Sequence, residues 1–272
     1  MIVIVTDSTA YLTRQEAKEL KTLNMPMTYT VGENTYLEGF EDDYKGMSKD
    51  SFAKEDPKTS QPGMSTILHR FARLRAANCE VLCLTISSRL SGTYSNALVC
   101  ARELGGKGIR VVDTRCAAAG HAILIREAKR MTDSGMSLDE TADALIKLRD
   151  NVHTFFSVCD LTPLRRSGRL GFVRQSVGTI LNRRPILTCR DGAVEYFDIA
   201  RGANEQLRKL AALVPENAEY LTVQSAAGQD SAERLKEVLQ EKYQKPVPHR
   251  LIGPVLAIHL GFDVIGVSWL ER

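Results

Sequence analysis

From residue 2 onward, strand-length apolar runs alternate with stretches whose apolar residues recur at helical spacing, the signature of parallel βαβ units. Ile2 to Val5 reads as the first strand, buried on both faces. Thr13 with Glu16 forms a capping box that opens a helix running through Leu20 and Leu23. Met25 to Val31 reads as a second strand. Met64, Ile67, Leu68, Phe71 and Leu74 share one helical face, and that helix delivers the chain into a strand over Val81 to Thr85. A helix over Tyr94 to Leu104, a strand over Ile109 to Val112 and a long helix over about Cys116 to Met131 follow, and Ser137 with Glu140 opens one more helix. These elements predict a doubly wound, mainly parallel α/β domain over residues 1–150.

Past Asn151 the pattern changes. Thr154 to Val158 reads as a strand, and Arg184 to Cys189, the Asp191-Gly192 dipeptide and Ala193 to Ile199 read as a hairpin with its turn. Leu221 to Gln224, a helix over Ser231 to Tyr243 and a strand over about Val264 to Leu270 complete a smaller α/β domain with antiparallel pairing, over residues 151–272. Two domains is also what a length of 272 residues predicts. The balance of 36 Lys and Arg against 33 Asp and Glu leaves a net charge of +3, which argues against a nucleic-acid partner. The six cysteines form no CxxC pair and mostly lie in apolar runs, so reduced structural thiols and a cytoplasmic location are expected. The opening Met1 to Val5 is too short for a signal peptide, and His259 and Asp263 interrupt the longest apolar stretch, Gly253 to Leu270, so no membrane-embedded helix is expected.

Anion recognition therefore falls to local clusters. In open parallel sheets, ligands bind beyond the carboxyl ends of the strands, where helix amino termini converge. The first strand runs into Thr6-Asp7-Ser8-Thr9, the third into Thr85 to Thr93, and the fourth into Asp113-Thr114. At any one of these positions helix capping explains a hydroxyl as well as binding does; their concentration favours a site. Ser91-Gly92-Thr93 is the sharpest segment, because hydroxyls around a glycine at a helix start let side chains and backbone N–H groups converge on a carboxylate or phosphate. No phosphate-loop lysine motif, GxGxxG or GxSxG occurs, which removes support for nucleotide binding and for the usual α/β-hydrolase elbow. Thr59-Ser60, before Gln61-Pro62, sits between two helical segments and by itself reads as a cap or turn. Asp160 to Gly171 reads as a glycine-punctuated loop carrying Arg165, Arg166 and Arg169, and residues 165–201 hold eight arginines and no lysine. His259 reads either as a satisfied core histidine or as a group that orients a hydroxyl or pairs with an anion.

On these motifs the chain resembles the DegV family of bacterial fatty-acid-binding proteins over essentially its whole length. The resemblance is carried by Val3 to Thr9, Thr59 to Pro62, Ile86 to Tyr94, Leu161 to Gly171, Asn182 to Leu187 before Asp191-Gly192, Arg201-Gly202, and Ile252 to Val255 with His259. It implies a protein without catalysis of its own and without a cofactor, holding one long-chain fatty acid as ligand. It further implies presentation of that acid to the catalytic subunit of a fatty acid kinase, which makes acyl phosphate for phospholipid synthesis, with at most a transient contact to a membrane surface. Carried over by position, the head-group ligands are the hydroxyls of Thr59 or Ser60 and of Ser91, with the Gly92 amide beside them and Arg169 and His259 in support. Arg174 and Arg201 are the candidates for partner docking. The last motif departs from the family's Thr-His-Thr-Gly-Pro-Gly: Ile258-His-Leu-Gly-Phe-Asp263 lacks the flanking hydroxyls. The physics suits such a ligand, since burying a chain of around sixteen carbons supplies roughly 12 kcal/mol before entropy and strain. A carboxylate leaving water then needs several donors. The alternative is a serine hydrolase acting on acyl esters, with Ser91 as nucleophile, His259 as base and an aspartate such as Asp7 as orienting group.

Overall fold

The computed structural model describes residues 1–40, 43–44, 48–170, 182–226 and 230–272. The first half of the chain forms β1 (Ile2–Asp7), α1 (Arg14–Glu19), β2 (Thr22–Met25), β3 (Met27–Val31), β4 (Asn34–Glu38), α2 (Lys49–Lys54) and β5 (Lys58–Ser60). It continues through α3 (Met64–Ala76), β6 (Glu80–Thr85), α4 (Thr93–Glu103), β7 (Ile109–Asp113), α5 (Ala118–Asp133) and α6 (Leu138–Leu148). The second half forms β8 (Val152–Ser157), α7 (Thr162–Ser167), β9 (Arg183–Arg190), β10 (Ala193–Arg201) and α8 (Gly202–Leu213). It ends with β11 (Glu219–Ser225), α9 (Asp230–Tyr243), β12 (His249–Leu251), α10 (Pro254–Leu260) and β13 (Ile265–Leu270).

The fold is mixed α/β. Four strands make a parallel sheet in the order β2-β1-β6-β7, and its two faces are both covered. Ile4, Leu82, Leu84 and Val112 pack on α5 and α6, while Val5, Val81 and Cys83 pack on Ile67 and Phe71 of α3 and on Ala97 and Cys100 of α4. Side chains alternate across a strand, so near-continuous apolar runs are what a doubly covered sheet requires. A six-stranded sheet, β10-β9-β8-β13-β11-β12, is antiparallel except at β11-β12. One of its faces packs on α8 and α9 through Ile186, Leu210, Leu235 and Trp269.

A third sheet, β4-β3-β5, is antiparallel and was not expected from the sequence. The predicted strand Met25 to Val31 is in fact two strands, because Pro26 has no N–H to donate to a ladder. The chain ahead of Pro26 stays in the parallel sheet, and the chain beyond it starts the third one. The helix predicted through Leu23 stops at Glu19: Lys21 sits at φ 49°, and Thr22–Met25 pairs with β1 instead. Both capping boxes form as read, Thr13 with Glu16 and Ser137 with Glu140. Asp160 to Gly171 is not wholly loop, since Thr162–Ser167 is a helical turn and a half with Pro163 in its first turn. Among the described residues, no helix is long and apolar enough to cross a membrane. The six cysteines are free thiols, four of them buried.

Where the three sheets meet, Tyr11, Met27, Tyr29, Phe156, Leu187 and Leu256 belong to one apolar cluster. Helix α10 lies in it, with Val255, Leu256, Ala257 and Ile258 all buried. The β9-β10 hairpin also reaches this junction. Gly192 at its tip has φ 80°, and a Cβ there would stand 2.4 Å from Ser87 Oγ, so the tip docks only as glycine. Ser87 Oγ donates to the Gly192 carbonyl at 2.7 Å.

Candidate functional site

The site is assembled from three loops and two short elements that converge on the cluster at the junction. Asp7, at the carboxyl end of β1, is fully buried and accepts from Ile86 N at 2.7 Å and from Thr9 Oγ1 at 2.6 Å. It thereby fixes the start of the loop that follows β6. Ser88 donates to Asp113 at the end of β7, and Thr114 Oγ1 donates to the Thr85 carbonyl at 2.7 Å. Most of the hydroxyls at the strand ends are thus spent on carboxylates and carbonyls of neighbouring loops, and α4 and α5 carry no side-chain cap, so helix capping does not account for them. The loop they hold presents Ser91 and Gly92 at the amino end of α4. Ser91 Oγ lies 2.9 Å from Thr93 Oγ1. The Gln61 side chain folds against Gly92, so that a Cβ there would stand 2.5 Å from Gln61 Oε1 and the glutamine would have to swing aside.

Thr59 and Ser60 arrive on β5, which pairs with β3 through Tyr29↔Thr59 and Thr28↔Ser60. Successive strand residues point to opposite faces. Thr59 is the half-buried one of the pair, and its Oγ1 lies 2.9 Å from His259 Nε2. Burial, and after it the charges of Arg169 and Arg166, drive the His259 imidazole down to about 4, so it is neutral near pH 7. Its Nδ1 is buried and has no hydrogen-bond partner among the described residues. His259 is thus a half-buried ring with one nitrogen on a hydroxyl and the other unpartnered among the described residues. Arg169 is exposed at the mouth, where its guanidinium donates to the carbonyls of Leu90 and Ser167.

Thr59, Ser60, Ser91, Gly92, Arg169 and His259 all line one cavity. It measures about 180 Å³, against the roughly 10–15 Å³ that admits one water. Its remaining wall is mainly apolar and comes from both halves of the chain, through Met27, Ile86, Phe156, Leu164, Val194 and Leu256. Sequence reading missed this wall. Its signal was the apolar run Ile252 to Ile258, which the helix α10 folds along one side of the cavity. It missed Thr154, Gln224 and Ser225 as well, which also line the cavity and are buried.

One expected residue lies elsewhere. Arg201 is exposed and pairs with Arg183 at the end of the hairpin opposite its tip, seven residues along the strand from Val194, which lines the cavity. Arg174 lies outside the described residues, as do Gly171 and the rest of 171–181. The hydrolase triad is not assembled: Ser91 is bonded to Thr93, His259 to Thr59, and Asp7 to Ile86 and Thr9. Among the described residues no cluster of His, Cys, Asp or Glu is placed to hold a metal ion.

Fold and cavity together define an α/β protein with a mainly apolar cavity whose wall also carries hydroxyl groups. The chain belongs to the DegV family, whose model, described as "Uncharacterised protein, DegV family", matches residues 1–272. It is 31% identical to a DegV domain-containing protein of Halalkalibacterium halodurans, over 98% of each chain. Its structure is similar to that of a fatty-acid-binding DegV family protein from Thermus thermophilus, with a TM-score of 0.84 at 28% identity, covering 100% of this chain and 99% of the other. DegV of Bacillus subtilis, described as a fatty acid binding protein, superposes with a TM-score of 0.87 at 25% identity, again over 100% and 99%.

Proposed function

We propose that this protein binds one long-chain fatty acid in the cytoplasm and presents it to the catalytic subunit of a fatty acid kinase for conversion to acyl phosphate. The acyl tail occupies the cavity, and the carboxylate rests at its mouth on the hydroxyls of Thr59 or Ser60 and of Ser91, beside the Gly92 amide. Arg169 and His259 support that network. The observation that carries the reading is the lining of one cavity by all six of these residues, with apolar side chains completing its wall. Each buried methylene contributes about 0.8 kcal/mol, so the tail supplies the driving force and the head supplies orientation. A neutral His259 that donates its Nε2–H to Thr59 leaves the threonine's own proton free for the carboxylate. Further support comes from the relatives of Thermus thermophilus and Bacillus subtilis, both described as binding fatty acids. Arg201, and Arg174 with it, would meet the kinase, since Arg201 is exposed and stands clear of the cavity.

The test is native mass spectrometry of the purified protein, followed by solvent extraction of whatever it carries. One acyl chain per protomer is the expected result. Protein that carries no lipid and takes up none when incubated with palmitate would overturn the reading.

A further inference from the structure

We propose that the inner wall of the cavity carries a second polar pole, centred on Thr154, which receives an oxygen borne along the acyl tail, so that the ligand is a hydroxy or oxo fatty acid. This inference rests on the fatty acid reading above and deepens it by naming the class of acid.

The pole lies on the face of the six-stranded sheet that α5 covers, where the helix packs across β8, β11 and β13. Strand β8 meets β13 through Thr154↔Ser268, and β13 meets β11 through Gly266↔Gln224. Side chains alternate across a strand, so Thr154, Phe156, Gln224 and Ser268 share this face, while Phe155, Val223 and Val267 turn to α8 and α9. Thr154, Phe156 and Gln224 all line the cavity, and Ala117 and Ala118 line it where α5 begins. Ala119 N donates to Gln224 Oε1 at 3.1 Å, which holds that amide against the helix. Thr154 stands two residues further from the carboxyl end of β8 than Phe156 does. The chain leaving that end carries Leu164 and then Arg169, which lines the cavity at its mouth, so Thr154 marks the inner part of the wall.

The pole has more protons than acceptors. Thr154 Oγ1 and Ser268 Oγ lie 2.9 Å apart, and Gln224 Nε2 donates to Ser268 Oγ at 3.2 Å. Whichever hydroxyl donates within the pair, the proton of the other meets no acceptor among the described residues. Ser268 is fully buried and does not line the cavity, so stranding its proton is the costly arrangement. Ser268 therefore donates to Thr154, and the Thr154 O–H is left to the cavity. One of the two Gln224 amide protons is left over as well, since the other goes to Ser268. Neighbouring hydroxyls of the same sheet are not in this position: Ser157, Thr188 and Thr222 each donate to a backbone carbonyl, at 2.7, 3.0 and 2.9 Å. Thr154 and Gln224 are each only 5% exposed, too little for bulk water to serve them. A saturated tail offers these leftover donors nothing, whereas a hydroxyl or carbonyl oxygen on the tail accepts from them.

The test measures affinities, by displacement of a fluorescent fatty acid, for stearate and for three hydroxystearates, with the hydroxyl beside the carboxylate, at mid-chain or at the chain end. The wild type is expected to bind one of the latter two at least about tenfold more tightly than stearate, because a buried donor gains its acceptor. Thr154→Val keeps the branched shape without the hydroxyl and should bring that ratio to within about twofold of one, whereas Thr154→Ser keeps the hydroxyl and should retain the preference. Thr154→Ala is measured beside them with the same expectation as Thr154→Val, so that a valine variant found misfolded by near-ultraviolet circular dichroism leaves the comparison standing. A wild type that prefers neither acid, or prefers only the one hydroxylated beside its carboxylate, would overturn the pole while leaving fatty acid binding in place. A preference that survives in folded Thr154→Val or Thr154→Ala would overturn it too. Failure of all four acids to bind the wild type would instead sink the parent reading, and the pole with it.

Discussion

Helix α10 has a polar cluster at each end, and the two clusters differ in what they leave unspent. At its amino end, Glu38 is fully buried and accepts from Val255 N at 2.8 Å, from Ser8 Oγ at 2.7 Å and from Tyr11 OH at 3.3 Å. Tyr11 OH in turn accepts from Leu256 N, and Ser8 Oγ from Met27 N. At its carboxyl end, His259 meets Thr59 but keeps a bare Nδ1, and the hydroxyls nearby line a cavity. Burial acts on both ends alike by penalising charge, raising Glu38 to about 7 and lowering His259 to about 4. The lesson is that a buried polar group is not in itself a sign of a site. A network whose polar atoms already meet partners holds structure together, and one with polar atoms left over has room for a ligand.

That contrast breaks most visibly at Glu38. Glu38→Ala removes the acceptor from Val255 N–H and from two hydroxyls, all of them buried, and should cost about 3 kcal/mol of folding stability. A urea titration that finds the variant as stable as the wild type would show that the amino-end cluster is not structural. The next largest effect belongs to the other end. Ser91→Ala should weaken palmitate binding by about tenfold, the worth of one hydrogen bond to a charged group, and should leave the urea midpoint where it was. Undiminished palmitate affinity in that variant would remove Ser91 from the head-group site.

The sequence made one of these ends far more legible than the other. Long local signals survived folding: the capping boxes at Thr13 and Ser137, the helical face of α3, and the hairpin around Asp191-Gly192 all formed where they were read. The third sheet escaped because its strands are three to five residues long and acquire their identity only by pairing. A hint was present at Gly32-Glu33, a two-residue connection with glycine first, which joins β3 to β4. With that sheet unread, Glu38 had no visible partner, and nothing local distinguishes it from a surface acid. Thr59 and Ser91 were found as motifs, yet their convergence depends on β5 pairing with β3 and on Asp7 holding the loop after β6. Helix α10 was missed although Pro254 at its start is a helix-opening signal, because seven residues give too little periodicity to read.

The smallest effect, and the one that most sharpens the comparison, is a dependence on pH. Burial raises Glu38 from 4.5 to about 7, so between those values the folded protein holds a proton that the unfolded chain has lost. Unfolding then releases a proton, and stability must fall as pH rises through this window. The loss between pH 6 and pH 7 comes to about 1 kcal/mol. Glu16 tilts the other way in a separate window. Burial alone would raise it, but hydrogen bonds and charge from Arg250 outweigh that and bring it down to about 2, so its contribution is full above 4.5 and fades as pH falls toward 2. Glu38→Gln keeps an acceptor for Val255 N–H and cannot titrate. Its stability should therefore be flatter than that of the wild type between pH 5 and pH 8, with the acid limb set by Glu16 unchanged. Parallel curves for the two proteins across the neutral range would mean that Glu38 is already charged in the folded state, and that the amino end of α10 rests on a buried ion instead of a neutral network.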